Sequence, residues 1–192
     1  MARLVAFNEE QAVQKAMEVF WRKGYTATSM RDLTDAMQIN SSSLYNTIGD
    51  KQELFKRCLH RYTNERMEEM EVRYKSPKSP LKALELYIND AVHIITTDPN
   101  SCLCLKATFE IEGDVPEIQA VINSYDHYRH RLLTHLLKSA QDLGEIPDDE
   151  KPEVIADYLG SIFVGWYNSL VLHKDKSKIV RMADLVKRQL KR

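Results

Sequence analysis

The sequence predicts an all-α protein of about nine helices, and three observations carry that prediction. Apolar residues recur at the i, i+3, i+4, i+7 spacing of a buried helix face along most of the chain. Glycine and proline number only 6 each in 192 residues, too few for the many turns of a β-sandwich. No segment alternates apolar and polar residues in the way a half-buried strand does.

Each helix has its own local warrant. Val13, Ala16, Met17, Phe20 and Trp21 share one face of a first helix over about 8–23, with Asn8 as N-cap and Gly24 as stop. Thr28 or Ser29 caps a second, short helix that turns Met30, Leu33, Ala36 and Met37 inward. The chain then turns at Gln38, Ile39 and Asn40. A third helix over about 41–47 has Leu44, Tyr45 and Ile48 as its large anchors, and its remaining surface is too polar to be core. Asp50 followed by Glu53 is a capping-box-like start for a fourth helix, which runs to about Tyr74 and is broken by the two prolines of SPKSP. Further helices are expected over about 80–97, about 101–111, a long stretch from beyond Pro116 to Gly144, about 152–172 and about 176–191. Gly113 and Pro116 separate the second of these from the third, and Asp98, Pro99 and Asn100 close the first.

Composition sets limits on class. Basic and acidic residues nearly cancel, 27 against 28, so global charge gives no sign of a polyanionic partner. The opening MARLVAFNEEQ lacks the apolar core and cleavage site of a secretory signal, and no apolar run approaches the roughly 18 residues of a membrane span. A cytoplasmic location is expected, without membrane attachment. Three cysteines, Cys58, Cys102 and Cys104, are too few for a disulfide scaffold, which fits a reducing compartment.

The stretch from Thr28 to Lys51 carries the functional signal. Two short helices joined by a three-residue turn and braced by an amphipathic helix make a helix-turn-helix. Only a helix with small, polar outward residues can enter a DNA major groove about 12 Å wide and reach base edges. Ser41, Ser42, Ser43, Asn46 and Thr47 meet that requirement, with Asn40 at the helix start, while Leu44 and Ile48 point back to the core. Thr28, Ser29, Tyr45 and Lys51 are the expected phosphate donors at the flanks. The first 62 residues contain nine basic and seven acidic residues, the remainder 18 and 21, so binding would rest on placed donors more than on a strong field.

The segment FWRKGYTATSMRDLTDAMQINSSSLYNTIGDKQELF resembles the N-terminal domain of TetR-like transcriptional regulators. Phe20, Gly24, Tyr25, Thr28, Ser29, Leu44, Tyr45 and Lys51 match the family pattern position by position. Gln38, Asn40, Ser41 and Ile48 depart from it, where the family commonly has glycine, serine, a basic residue and an aromatic. The resemblance implies a helix-turn-helix domain over 1–50, a connecting helix over 51–75, and a larger helical effector-binding and dimerisation domain over 76–192. It further implies a homodimeric repressor that binds double-stranded DNA at a palindromic operator and is released by a small-molecule effector. Apolar residues over a broad arc of the 152–172 helix, with Gly160, Ser161 and Gly165 allowing close approach, agree with a dimer interface there.

Other features have plainer readings. Tyr87, Phe109, Tyr125, Tyr128, Phe163 and Trp166, with Tyr158, are candidates to line an effector pocket, or are ordinary core and interface. Cys102 and Cys104, near Lys106, invite a redox sensor; two apart on a helix they face different sides, and small buried hydrophobes are the simpler reading. His127 and His130 beside Asp126 read as a solvated helix face, and no metal or other cofactor is expected. A small helical enzyme or ligand carrier using the C-terminal cavity is the alternative, against which stands the lack of any nucleophile–base pair, phosphate loop or metal spacing. A protein adaptor is a third reading, if the polar third helix binds protein instead of DNA.

Overall fold

A computed structural model describes residues 8–98, 100, 102–111 and 115–191. The opening MARLVAF, the expected breaks at Pro99 and Gly113 and the helix start expected near 101 lie outside the described residues. Among those described there are nine α-helices and no strand: α1 Glu9–Lys23, α2 Met30–Met37, α3 Ser41–Thr47, α4 Lys51–Arg73, α5 Pro80–Thr97, α6 Leu103–Glu110, α7 Pro116–Asp142, α8 Pro152–His173 and α9 Lys176–Gln189.

Local chemistry sets most of the starts. Asn8, Ser29, Asn40, Asp50, Ser79 and Asp175 each accept the N–H three residues on, satisfying a donor that the first helical turn leaves orphaned. Ser29 and Asp32 form a reciprocal capping box. Pro80 and Pro152 stand in the first turns of α5 and α8, where a missing N–H costs nothing.

The chain divides into two compact units, Met1–Glu65 with Cys102–Asn123, and Arg66–Ser101 with Ser124–Arg192. In the first, α2 packs on α1 and on α3. Its core is built on Phe20, Leu33, Leu44, Leu54, Phe55, Cys58 and Leu59. Phe20 and Phe55 meet edge-on with centroids 4.8 Å apart, and Tyr25 lies 4.8 Å from Phe55 on another side. Burial pushes the Cys58 thiol well above its usual range, which makes it a packing group and not a nucleophile.

In the second unit α5, α8 and α9 pack on one another around Leu84, Ile88, Leu137, Leu159 and Ile179. A run of rings, Tyr74, Tyr87, Phe163 and Trp166, crosses this core with successive centroids 5.1, 5.7 and 5.2 Å apart. Asp90 gathers the Arg73 guanidinium, which donates from two nitrogens, and the Tyr74 hydroxyl at 2.8 Å. Glu145 accepts the Leu81 N–H at 2.8 Å and so ties the loop after α7 to the first turn of α5.

Candidate nucleic-acid interface

A seven-residue helix does not hold its shape in water by propensity alone, so α3 depends on what anchors it. Asn40 caps it, accepting the Ser43 N–H at 2.7 Å. Leu44 is fully buried, and Ile48, just past the last turn, is 4% exposed. With that side fixed, Ser41, Ser42, Tyr45, Asn46 and Thr47 are left on the solvent face, and Ser43 is half-buried. Tyr45 is 53% exposed, a large ring with no place in the core. This surface offers hydroxyls, an amide and a phenol, the groups that reach base edges and phosphates.

The turn before α3 is made without glycine. Gln38 takes φ 58° and ψ 42°, the left-handed region, and its N–H donates to the carbonyls of Thr34 and Asp35. The departure from the family glycine therefore leaves the turn intact, at a cost in backbone strain.

The flanking donors are more committed than the sequence suggests. Thr28 is 2% exposed, and its hydroxyl donates to the Gly24 carbonyl at 2.6 Å, so it closes the α1–α2 corner instead of facing a phosphate. Ser29 is exposed, but its hydroxyl and N–H both donate to Asp32, whose carboxyl is held below the usual range first by Lys23 and then by Ser29. Lys51 is half-buried: its ammonium lies 4.5 Å from the centroid of the Tyr25 ring and donates to the Thr26 carbonyl at 3.4 Å. Burial lowers its pKa and the carboxylate of Glu110 partly restores it. Arg31, which sequence reasoning passed over, extends from the first turn of α2 with a side chain 90% exposed and only a loose 3.8 Å contact to Asp35. A basic residue two positions after the Ser29 cap was the available signal.

The aromatic candidates of the helical body separate. Tyr87, Phe163 and Trp166 are neighbours in the core, and Tyr125 is buried with the Arg129 guanidinium 5.9 Å from its ring centroid. Arg129 Nε–H donates to the Tyr87 hydroxyl at 3.1 Å, placing one cation among these rings. Tyr128 lines an open groove of about 350 Å³ with Glu71, Arg131 and His135. Its hydroxyl donates to Glu71 at 3.0 Å, and burial followed by that carboxylate pushes its pKa to about 12. Phe109 is 71% exposed, because the buried face of α6 is Leu103, Cys104 and Ala107 and a residue two further on points the other way. Cys104 is buried with Leu103 and Ala107, and Cys102 is half-buried at the N-cap of α6. His130 Nε2 lies 3.2 Å from Asp157, joining α7 to α8.

Comparison with known proteins converges on this geometry. Residues 12–58 match the model of the family described as bacterial regulatory proteins, tetR family. The chain is 29% identical over 162 residues to the HTH-type transcriptional repressor ComR of Escherichia coli (strain K12), covering 83% of this chain and 77% of that one. Over 56 residues, 29% of this chain and 28% of the other, it is 43% identical to the HTH-type transcriptional repressor BdcR of the same strain. Among solved structures it is similar to the TetR family regulator CifR in complex with 26-base-pair operator DNA, with a TM-score of 0.79, 25% identity and coverage of 97% and 98%.

The fold and the exposed polar face of α3 define a helix-turn-helix DNA-binding regulator of transcription, the class of a regulator family and not of an enzyme family. Within that class, residues 12–58 match the DNA-binding domain of the tetR family, and the chain is similar in fold to regulators of that family.

Proposed function

We propose that the protein is a homodimeric repressor that reads a palindromic operator through α3 and leaves it when a small molecule binds the helical body. The observation that carries the reading is the division of α3 into a buried Leu44 side and an exposed face of Ser41, Ser42, Tyr45, Asn46 and Thr47. Base contact falls to Ser42, Asn46 and Thr47, and phosphate contact to Tyr45, Lys51 and the exposed Arg31. Asn40 and Ser29 shape the helix starts that present them, and Thr28 acts through the corner it closes.

The effector occupies the region of Tyr87, Tyr125, Phe163 and Trp166, with Arg129 as the polar group among the rings. Release is a shift of population: the effector must bind the conformation that does not fit DNA more tightly than the one that does. Regulation, and not catalysis, is the activity, and action on chromosomal DNA places the protein in the cytoplasm.

Selection of bound fragments from genomic DNA tests the reading. One enriched motif with twofold symmetry is expected. Ser42→Ala changes the preferred bases at defined positions, whereas Lys51→Met weakens every site and reduces the slope of log affinity against log salt by at most about one. Absence of any enriched motif overturns it.

A further inference from the structure

Within the first unit, α6 grips the corner between α1 and α2 at two points four residues apart. Lys106 Nζ donates to the Trp21 carbonyl at 2.8 Å, near the C-terminus of α1, where the helix dipole favours a cation. One turn on, Glu110 covers the loop. The Thr26 N–H donates to its carboxylate and the Thr26 hydroxyl to its backbone carbonyl, both at 3.2 Å.

The seat is closely fitted. Gly24 has φ +83°, and the Glu110 carboxylate lies so close to it that no Cβ fits between them. The left-handed conformation favours glycine there, and a Cβ would push the Glu110 carboxylate out of its seat. Lys51 comes to the same loop from α4 and donates to the Thr26 carbonyl at 3.4 Å. Thr26 thus joins a carboxylate on its N–H side to an ammonium on its C=O side. Glu110 also acts on the Lys51 charge directly, by attraction.

A backbone N–H beside an ammonium is a site for an anion, and a phosphate oxygen asks for the same donors as a carboxylate. We propose that Glu110 is a built-in acidic competitor of DNA phosphate, a positioning residue that holds the Thr26 N–H and the Lys51 charge and so sets how tightly the helix-turn-helix grips DNA. The proposal rests on the assignment of Lys51 to phosphate contact. DNA binding then requires that the Lys51 charge be shared between Glu110 and a phosphate, and any displacement of α6 changes that share.

Glu110→Gln in the full chain tests it, because the amide keeps the shape and an acceptor for Thr26 but loses the charge. Operator and nonspecific DNA should both bind about three- to tenfold more tightly at low salt, with a salt slope steeper by a fraction of one, the share of the Lys51 charge that Glu110 holds in the wild type. Lys51→Met should abolish that gain in the double variant. Glu110→Asp, which keeps the charge, should retain the wild-type slope. In the absence of DNA, the Lys51 ammonium of Glu110→Gln, followed by NMR of labelled lysine, should titrate at lower pH than in the wild type. Unchanged or weaker DNA binding by Glu110→Gln, in a protein whose Lys51→Met variant still loses affinity, overturns the competitor role. Equal tightening by Glu110→Asp overturns it as well, since loosening of the seat and not charge would then be responsible. If Lys51→Met itself leaves affinity and slope unchanged, the phosphate assignment fails, and the competitor role fails with it.

Discussion

Gln38 shows how much one backbone angle pair can decide. At φ 58° its side chain crowds its own carbonyl, a strain of about 1 kcal/mol that glycine does not incur. The strain persists because the next residues are over-determined: Asn40 must cap α3, and Leu44 must reach the core. Gln38→Gly is therefore expected to stabilise the helix-turn-helix by up to about 0.5 kcal/mol, after allowance for the greater freedom of glycine in the unfolded chain. Urea unfolding followed by circular dichroism checks it, with a higher midpoint expected at an unchanged slope. A lower midpoint would mean that Gln38 makes contacts worth more than the strain it bears.

At the level of the elements, helix starts and helix faces were legible in the sequence because their causes are local. Asn8, Ser29 and Asp50 name the starts of α1, α2 and α4 through bonds to residues three positions away, and 3.6-residue periodicity fixes the buried side. The face of α3 was legible for the same reason. What the sequence concealed was set by partners far along the chain. The corner hydrogen bond of Thr28, the half-burial of Lys51 against the Tyr25 ring, and the outward position of Phe109 on α6 follow from how helices meet. The capping box of α2 has a consequence in pH. Lys23 first, then the Ser29 N–H and hydroxyl, hold the Asp32 carboxyl below its unfolded value. A depressed folded pKa contributes stability that is fully present above about pH 4, the unfolded value, and is lost as pH falls toward the folded one. Asp32→Asn should flatten the acid limb of the stability profile of the first unit, leaving the neutral region little changed by titration. Thermal melts between pH 2 and pH 7 check this, and an acid limb identical to the wild type would assign the loss to other carboxylates.

For the whole molecule, near-zero net charge excludes a strong general attraction to DNA, so affinity has to come from placed contacts made twice. That is the physical case for the proposed dimer. The surface of α8 carries Val154, Tyr158, Val164, Val171 and Leu172, from 41% to 67% exposed, and α9 adds Val180 at 46% and Leu185 at 47%. Tyr158, Gly165 and Leu172 recur every seven residues, the period of one helix stripe facing another. A Cβ placed on Gly160 or Gly165 would meet nothing within 4 Å, so the surface above both is open to a close approach. Apolar side chains this large, on two packed helices, are more than an isolated monomer usually leaves in water. Leu172→Glu combined with Val164→Glu puts two carboxylates into each half of a twofold contact, four in all, and should yield a folded monomer by light scattering at micromolar concentration. Operator affinity should fall by about 100-fold or more, because the second half-site is no longer held at high effective concentration, while binding to an isolated half-site stays near the wild-type level. A double variant that remains a dimer with full operator affinity would remove α8 and α9 from the interface, and the exposed apolar stripe would then need a different partner.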